Sequence, residues 1–230
     1  MPLLMCGPPL QEVDDANNSR VADPHFTGGG LRSETDGGPD LRYAGRDLPA
    51  GSLRVFSEAC VRLRDRCRAA SVPVAYSRHL SLPSRWMGAF QTRMAMVWQR
   101  LDDPAAVKPW FLRGTSGFEL VPELAPRDDE FVFDKLAMSA FEGTPLQFAL
   151  RDRGITTLAI CGIALEIGIE PSVRHAVDLG IVPVVVADAC GAGHGEAGQR
   201  TLDQLRFMGD AIITDEATFC AALTDGLQTG

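Results

Sequence analysis

The sequence predicts an α/β fold of three layers, a mostly parallel sheet with helices on both faces. Two observations carry that expectation. Short, almost continuously apolar runs recur in the second half of the chain, as in TTLAICGI (156–163) and VPVVVADA (182–189), and strands buried on both faces read this way. Between them lie segments whose apolar residues return every three or four positions, the helical period. Such alternation builds parallel sheets, and these bind ligands beyond the carboxyl ends of their strands.

Taken in order, residues 1–50 read as loop-rich, because GGGLRSETDGGPDLRYAGRDLPAG combines seven glycines with prolines and charges. Leu53, Phe56, Cys60, Leu63 and Cys67 form one helical stripe, followed by a short strand VPVAYS (72–77). Residues 80–125 are rich in aromatics, Gly and Pro and are expected to form a lid or a subunit contact, with Trp86, Trp98, Trp110 and Phe111 suited to the latter. EFVFDK (130–135) is a strand ending in lysine, and TPLQFALRDRG (144–154) a helix closed by Gly154. After TTLAICGI, the helix EPSVRHAVDLG has Pro171 in its first turn and Gly180 at its cap. VPVVVADA leads to the helix EAGQRTLDQLRFMG, then to a short strand AIIT (211–214) and a terminal helix.

Composition narrows the function classes. The 230 residues fit a single domain, 1–230. Lys and Arg total 22 against 30 Asp and Glu, a net charge of −8 with pI near 5.0. That balance argues against nucleic acid and anionic membranes as partners. No apolar run approaches a membrane span, and MPLLMCGPPL lacks the basic region of a secretory leader. The six cysteines show no CxxC spacing and fall mostly in apolar segments, as expected of buried thiols in a reduced, cytoplasmic compartment.

The stretch DKLAMSAFEGTPLQFALRDRGITTLAICGIALEIGIEPSVRHAVDLGIVPVVVADACGAGH resembles the isochorismatase-like hydrolases, the cysteine hydrolase superfamily. Three features carry the resemblance: a strand-end lysine followed by the SAF-GT turn, a GIA turn closing the next strand, and a helix leading to a VVVADAC strand. It implies a Rossmann-like topology, a small-molecule substrate, no cofactor, and a dimer or tetramer of like chains. It also implies an active site of aspartate, lysine and cysteine with a cis peptide in the GIA turn that aims backbone N–H groups at an oxyanion. Carried onto this chain, the lysine is Lys135, the cis bond joins Ile163 and Ala164, and the nucleophile's position is Gly168. The aspartate is Asp14, by its spacing to Asn17 and the glycines at 28–30, whereas aligning LLMCGPPLQ instead puts Gly7 there.

Glycine offers no nucleophile, which excludes a thioester at Gly168. Cys161, inside a strand, and Cys190, expected in the loop after one, read as core thiols. Members that cleave a vinyl ether also carry glycine there; their reaction protonates the enol-ether carbon and adds water, which needs a general acid and charge control. Their turn resembles AHIGC, and this chain reads LEIGI. Glu166, in place of that histidine, reads either as an acid–base group or as a helix cap. Glu170 reads as a carboxylate favoured by the helix dipole. Lys135 reads as a site cation, with a side chain reaching solvent as the alternative. The rival to an enzyme is a non-catalytic binding or scaffold member of the same fold.

Other signals are weaker. GHGEAG (193–198) satisfies a dinucleotide fingerprint but lies in a late unit, so its glycines are expected to relax a loop facing the site. His25, His79, His175 and His194 show no metal-ligand spacing, and no metal is expected. His79 and His194 follow strand ends and are expected to line one pocket with Arg78, while Arg78 and Arg85 suit a substrate carboxylate.

Overall fold

The computed structural model describes residues 3–4, 42–43, 46–47 and 50–228. The chain is a mixed α/β fold of parallel strands between two helical layers. The short pieces β1 (Leu3–Leu4), β2 (Arg42–Tyr43) and β3 (Arg46–Asp47) precede α1 (Ala50–Ala69). Then follow β4 (Ala75–His79), α2 (Ala89–Gln99), β5 (Phe131–Lys135) and α3 (Leu146–Asp152). β6 (Thr157–Ile163), α4 (Glu170–Asp178), β7 (Val182–Gly191), α5 (Gly195–Met208), β8 (Ile212–Thr214) and α6 (Glu216–Gln228) complete the order. The boundaries that differ most from the sequence reading are those of β4 and β7. β4 starts later and runs on to His79, and β7 extends past Ala189, so Cys190 lies within the strand and not in a loop after it.

Alternation along the strands divides the core into two. Leu158, Ile160 and Val185 face Leu146, Leu150, Val173, Ala176 and Leu205 of α3, α4 and α5. Their neighbours Ala159, Cys161, Val184 and Val186 face Ala59, Cys60, Leu63 and Cys67 of α1 and Cys220 of α6. This period-two assignment is why β6 is buried at every position.

Hydrogen bonding splits the strands into two groups. β6, β7 and β8 pair in parallel, and β4 pairs in parallel with β5 from Ala75↔Phe131 to His79↔Lys135. Among the described strands β1 packs against both groups, pairing antiparallel with Cys161 and Gly162 near the carboxyl end of β6. Towards the amino ends of β4, β5 and β6 lies a cavity of about 580 Å³ floored by Val74, Ala75, Phe131 and Leu158. Against β7, the register of β6 shifts between Ile160 and Gly162. Gly162 sits there at φ +121°, a conformation that favours glycine, and the irregularity re-aims the strand end.

A buried ion pair ties α1 to the start of β5. Arg68 donates to Glu130 through Nε at 2.7 Å and through a second nitrogen at 2.8 Å, while the Tyr76 hydroxyl and the Arg127 amide also donate to Oε2. Both side chains of the pair are nearly buried. Burial alone pushes the Glu130 carboxyl up, but these donors outweigh it and hold it below the ordinary range. Its stabilising contribution is therefore complete above the ordinary glutamate pKa and is lost as pH falls through the lowered value. Glu130→Gln leaves the guanidinium only the more distant and exposed Asp65 as a charge partner and is expected to cost up to about 3–5 kcal/mol at pH 7, the scale for breaking a buried pair. The deficit, read from urea midpoints, should shrink in acid; a pH-independent deficit contradicts the account.

Candidate active site

β5 carries Lys135 to the carboxyl edge of the sheet, and the parallel register sets it beside His79 of β4. Lys135 is 3% exposed, so its side chain does not reach solvent. Its Nζ donates to the carbonyls of Ala137, at 3.1 Å, and of Met138. Among the described residues no carboxylate forms an ion pair with it. Burial pushes the amine down from the ordinary lysine value to about 8. His79 is pushed down to about 3, by burial first and then by the Lys135 charge, so its ring is neutral. That ring meets Phe111 edge-on at 5.3 Å.

The second wall is the turn after β6. The Ile163–Ala164 peptide is cis, and residues Leu165–Ile169 form one π-helical turn. Its cause is a single acceptor: the Ala164 carbonyl takes the N–H groups of Ile167 (3.2 Å), Gly168 (2.9 Å) and Ile169 (3.1 Å). Those three amides are thus directed inward to one carbonyl. Gly168 is buried, and its own carbonyl accepts the Ser172 hydroxyl at 2.6 Å.

Glu166 does not cap the helix that follows it: neither the turn nor α4 has a side-chain cap. Its Oε1 instead accepts the His194 backbone N–H at 3.0 Å, across the loop that starts α5, where the helix dipole favours an anion. Its Oε2 is buried without a partner. Gly193 of the GHGEAG stretch makes room for this contact, and Gly198, in the first turn of α5, makes room for Ala192. A Cβ on Gly193 would lie 2.9 Å from Glu166 Oε1, and one on Gly198 would lie 2.5 Å from the Ala192 Cβ. Close packing against the turn accounts for these glycines without a nucleotide.

The segment between β4 and β5 covers the Lys135 edge. The Ser81 N–H donates to the Phe111 carbonyl at 3.0 Å, and a cleft of about 30 Å³ is lined by His79, Leu136, Gln91, Trp98, Trp110 and Phe111. Gln91 Oε1 is buried there without a partner. Trp86, Phe90 and Val97 face outward instead, 77%, 66% and 67% exposed.

The remaining candidates are engaged elsewhere. Arg78 pairs with Asp134 at 2.8 Å and covers the Phe118 ring at 4.4 Å, and Arg113 takes the other Asp134 oxygen. Glu170 pairs with Arg174 at 2.9 Å. Cys161 and Cys60 approach to 3.8 Å within the α1 face, and burial pushes the Cys190 thiol well above its ordinary value. Among the described residues no cluster suits a metal ion. Asp14, its alternative Gly7, and Asn17, His25 and residues 28–30 lie outside the described residues. Sequence reasoning missed Ser139, Ser172 and His175. Ser172 stands four residues after Gly168, the spacing at which a helical serine reaches back to a carbonyl.

A lysine ending β5 and a cis-peptide turn ending β6, each at the carboxyl end of a parallel strand, match the isochorismatase-like class anticipated above. A family model described as the isochorismatase domain matches residues 47–217, and the chain belongs to the isochorismatase family. It is 39% identical over 84 residues to the isochorismatase family protein YwoC of Bacillus subtilis (strain 168), covering 36% of this chain and 44% of that protein. The chain thus spans less than half the length of that relative. Among solved structures, a cysteine hydrolase from Pseudomonas syringae pv. phaseolicola superposes with TM-score 0.64 at 24% identity, covering 76% of this chain and 82% of that one. N-carbamoylsarcosine amidase from Thermoplasma acidophilum superposes with TM-score 0.61 at 22% identity, covering 75% and 88%. Both likenesses concern the fold.

Two predictions follow from this geometry. Gly193→Ala needs only the flexible carboxylate of Glu166 to move, at a cost of about 1 kcal/mol for one hydrogen bond. Gly198→Ala must displace backbone and should cost more, about 1–3 kcal/mol; urea midpoints in the reverse order count against the packing account. Between pH 8 and 10.5 the unfolded Lys135 holds a proton that the folded one has lost, so Lys135 adds a climb in stability over that window, opposed in its upper part by the raised thiols of Cys190 and Cys220. Lys135→Met should remove this climb, and an unchanged slope would place the titration on another group.

Proposed function

We propose that this chain hydrolyses a small organic substrate by acid–base chemistry, with water as the attacking group and no thiol intermediate. The observation that carries the reading is the buried Lys135 ammonium, caged by carbonyls at the ligand edge and tuned to about 8. A group that gains and loses a proton near neutral pH suits general acid–base work. In this reading Gly168 stands at the position where relatives carry a cysteine. The turn supports it from a second side: the N–H groups of residues 167–169 converge on Ala164, so charge developing on a substrate falls to Lys135 instead of to those amides.

Vinyl-ether cleavage fits these parts. A proton moves to the enol-ether carbon, water adds to the resulting oxocarbenium ion and loses its proton, and the hemiketal collapses to a carbonyl compound and an alcohol. Lys135 steadies or delivers charge, Glu166 offers its unpartnered Oε2 to the water or to a substrate donor, and Asp14 supplies the carboxylate that the family resemblance calls for. His79, neutral, and His194 border the substrate, while Arg78, held by Asp134, stays outside that role. The segment 80–125 is the lid, and its outward Trp86 and Phe90 suit contact with a second copy. A cytoplasmic setting completes the proposal. The second reading, a binding protein on the same fold, is favoured by one observation: among the described residues no carboxylate pairs with Lys135.

The test is turnover of isochorismate and a panel of ureides and small amides. Lys135→Ala should lower kcat/KM by about 10²–10⁴-fold, the range of one acid–base group. Blocking accessible thiols under native conditions should leave the rate unchanged. Inactivation by the thiol reagent overturns the mechanism, and tight binding without turnover selects the second reading.

A further inference from the structure

We infer that Ser172 is a positioning residue whose hydroxyl staples the carbonyl cage of Lys135 to the turn that ends at Ile169. The cage carbonyls belong to Ala137 and Met138, in a loop with no regular structure of its own. Something else must fix where those carbonyls point. Two residues later the Ala140 N–H donates to Ser172 Oγ at 2.9 Å, and Ser172 Oγ donates onward to the Gly168 carbonyl at 2.6 Å. One oxygen therefore accepts from the cage loop and donates to the turn. A second contact runs beside it: Ser139 Oγ meets His175 Nδ1 at 3.0 Å and accepts the Phe141 N–H at 3.1 Å.

Helical serines often bond the carbonyl four residues back, a local habit that needs no partner elsewhere. The bond from Ala140 is what that habit leaves unexplained, because it joins two separate elements. Ser172 and Ala140 are both 0% exposed, so water does not replace the hydroxyl. Without it, a buried N–H and a buried carbonyl both lose their partner, and the loop must move to satisfy them. The role given to Lys135 rests on the proposed function, but the staple is tested without substrate.

The sequence holds only two lysines, Lys108 and Lys135, and Lys108 is exposed, so one chain contains both probe and reference. Full-length protein is acylated with a water-soluble acetylating ester, and the rate at each lysine is read by peptide mass spectrometry. Ser172→Thr and Ser172→Val add the same bulk and differ in the hydroxyl. Ser172→Val and Ser172→Ala should raise the Lys135 rate relative to Lys108 by about tenfold, the scale of losing a buried hydrogen bond, while Ser172→Thr stays near wild type. Equal Lys135 rates in folded Thr and Val variants overturn the inference. If the Val and Ala variants do not fold, wild-type protein decides: Lys135 acylation and Ala140 amide exchange must rise together with urea, and a reactive Lys135 under a protected Ala140 overturns the staple. A hydroxyl-dependent Lys135 rate in a chain whose Lys135→Ala variant still turns over substrate keeps the staple and discards the catalytic reading. The opposite result does the reverse.

Discussion

A single ammonium group, taken out of water at the end of β5, sets the terms for its surroundings. Burying a cation is costly unless something offsets it, and here the offset comes from two backbone carbonyls of the loop that follows. That arrangement has two consequences. The loop must turn back on its own strand immediately after Lys135, and the neighbouring His79 must stay neutral, because its ring is itself buried and lies in the field of the lysine. Two cations side by side in so dry a place would repel, and the histidine gives way because its proton is the easier to lose.

The two halves of the site belong to different hydrogen-bonded groups of strands. Lys135 and His79 stand on the β4–β5 pair, whereas the cis peptide and Gly168 follow β6. Between these groups the described backbone offers only the two-residue β1 near the carboxyl end, with a cavity towards the other. Sheet hydrogen bonds therefore do little to fix the lysine against the turn. Side-chain contacts above the sheet must do so, and α4 supplies them through Ser172 and His175, both reaching the loop after Lys135.

The fold was legible because its signals are local and additive. Each buried strand is a run of apolar residues, each helix a stripe, and their alternation leaves one architecture. Boundaries were less legible where local composition misled: β7 runs on past Ala189 to Cys190 and Gly191, whose backbone pairs with Gly162 and Ile163 of β6. Lys135, the cis bond and the turn could be placed because they sit in a compact motif. Glu166 stayed open between an acid–base group and a helix cap because its partner, the His194 amide, lies 28 residues away, a distance over which sequence spacing says nothing. Ser172 escaped notice for the same reason: its informative bond is to Ala140, and nothing local distinguishes that bond from ordinary back-bonding. Asp14 was a choice between two alignments, one favoured by its spacing to Asn17 and the glycines at 28–30, the other by the apolar character of LLMCGPPLQ, and these patterns point in different directions.

Chemistry without a thiol is consistent with where the thiols are. Cys161 alternates towards α1, beside Cys60, and the half-buried Cys190 thiol is pushed well above its ordinary value by loss of hydration, which disfavours the thiolate. Neither is a reactive sulfur of the kind that low pKa and partial exposure produce. At Gly168, where the family resemblance puts the nucleophile, the backbone is committed on both sides, its N–H to Ala164 and its carbonyl to Ser172. A turn so fully bonded to itself is a rigid wall. The groups left to act on a bound molecule are then those with unused capacity: an amine able to exchange a proton near neutral pH, and a carboxylate with one oxygen unpartnered. Under the proposed function those two groups would carry the acid–base work, with the glycine of this turn taking no part in it.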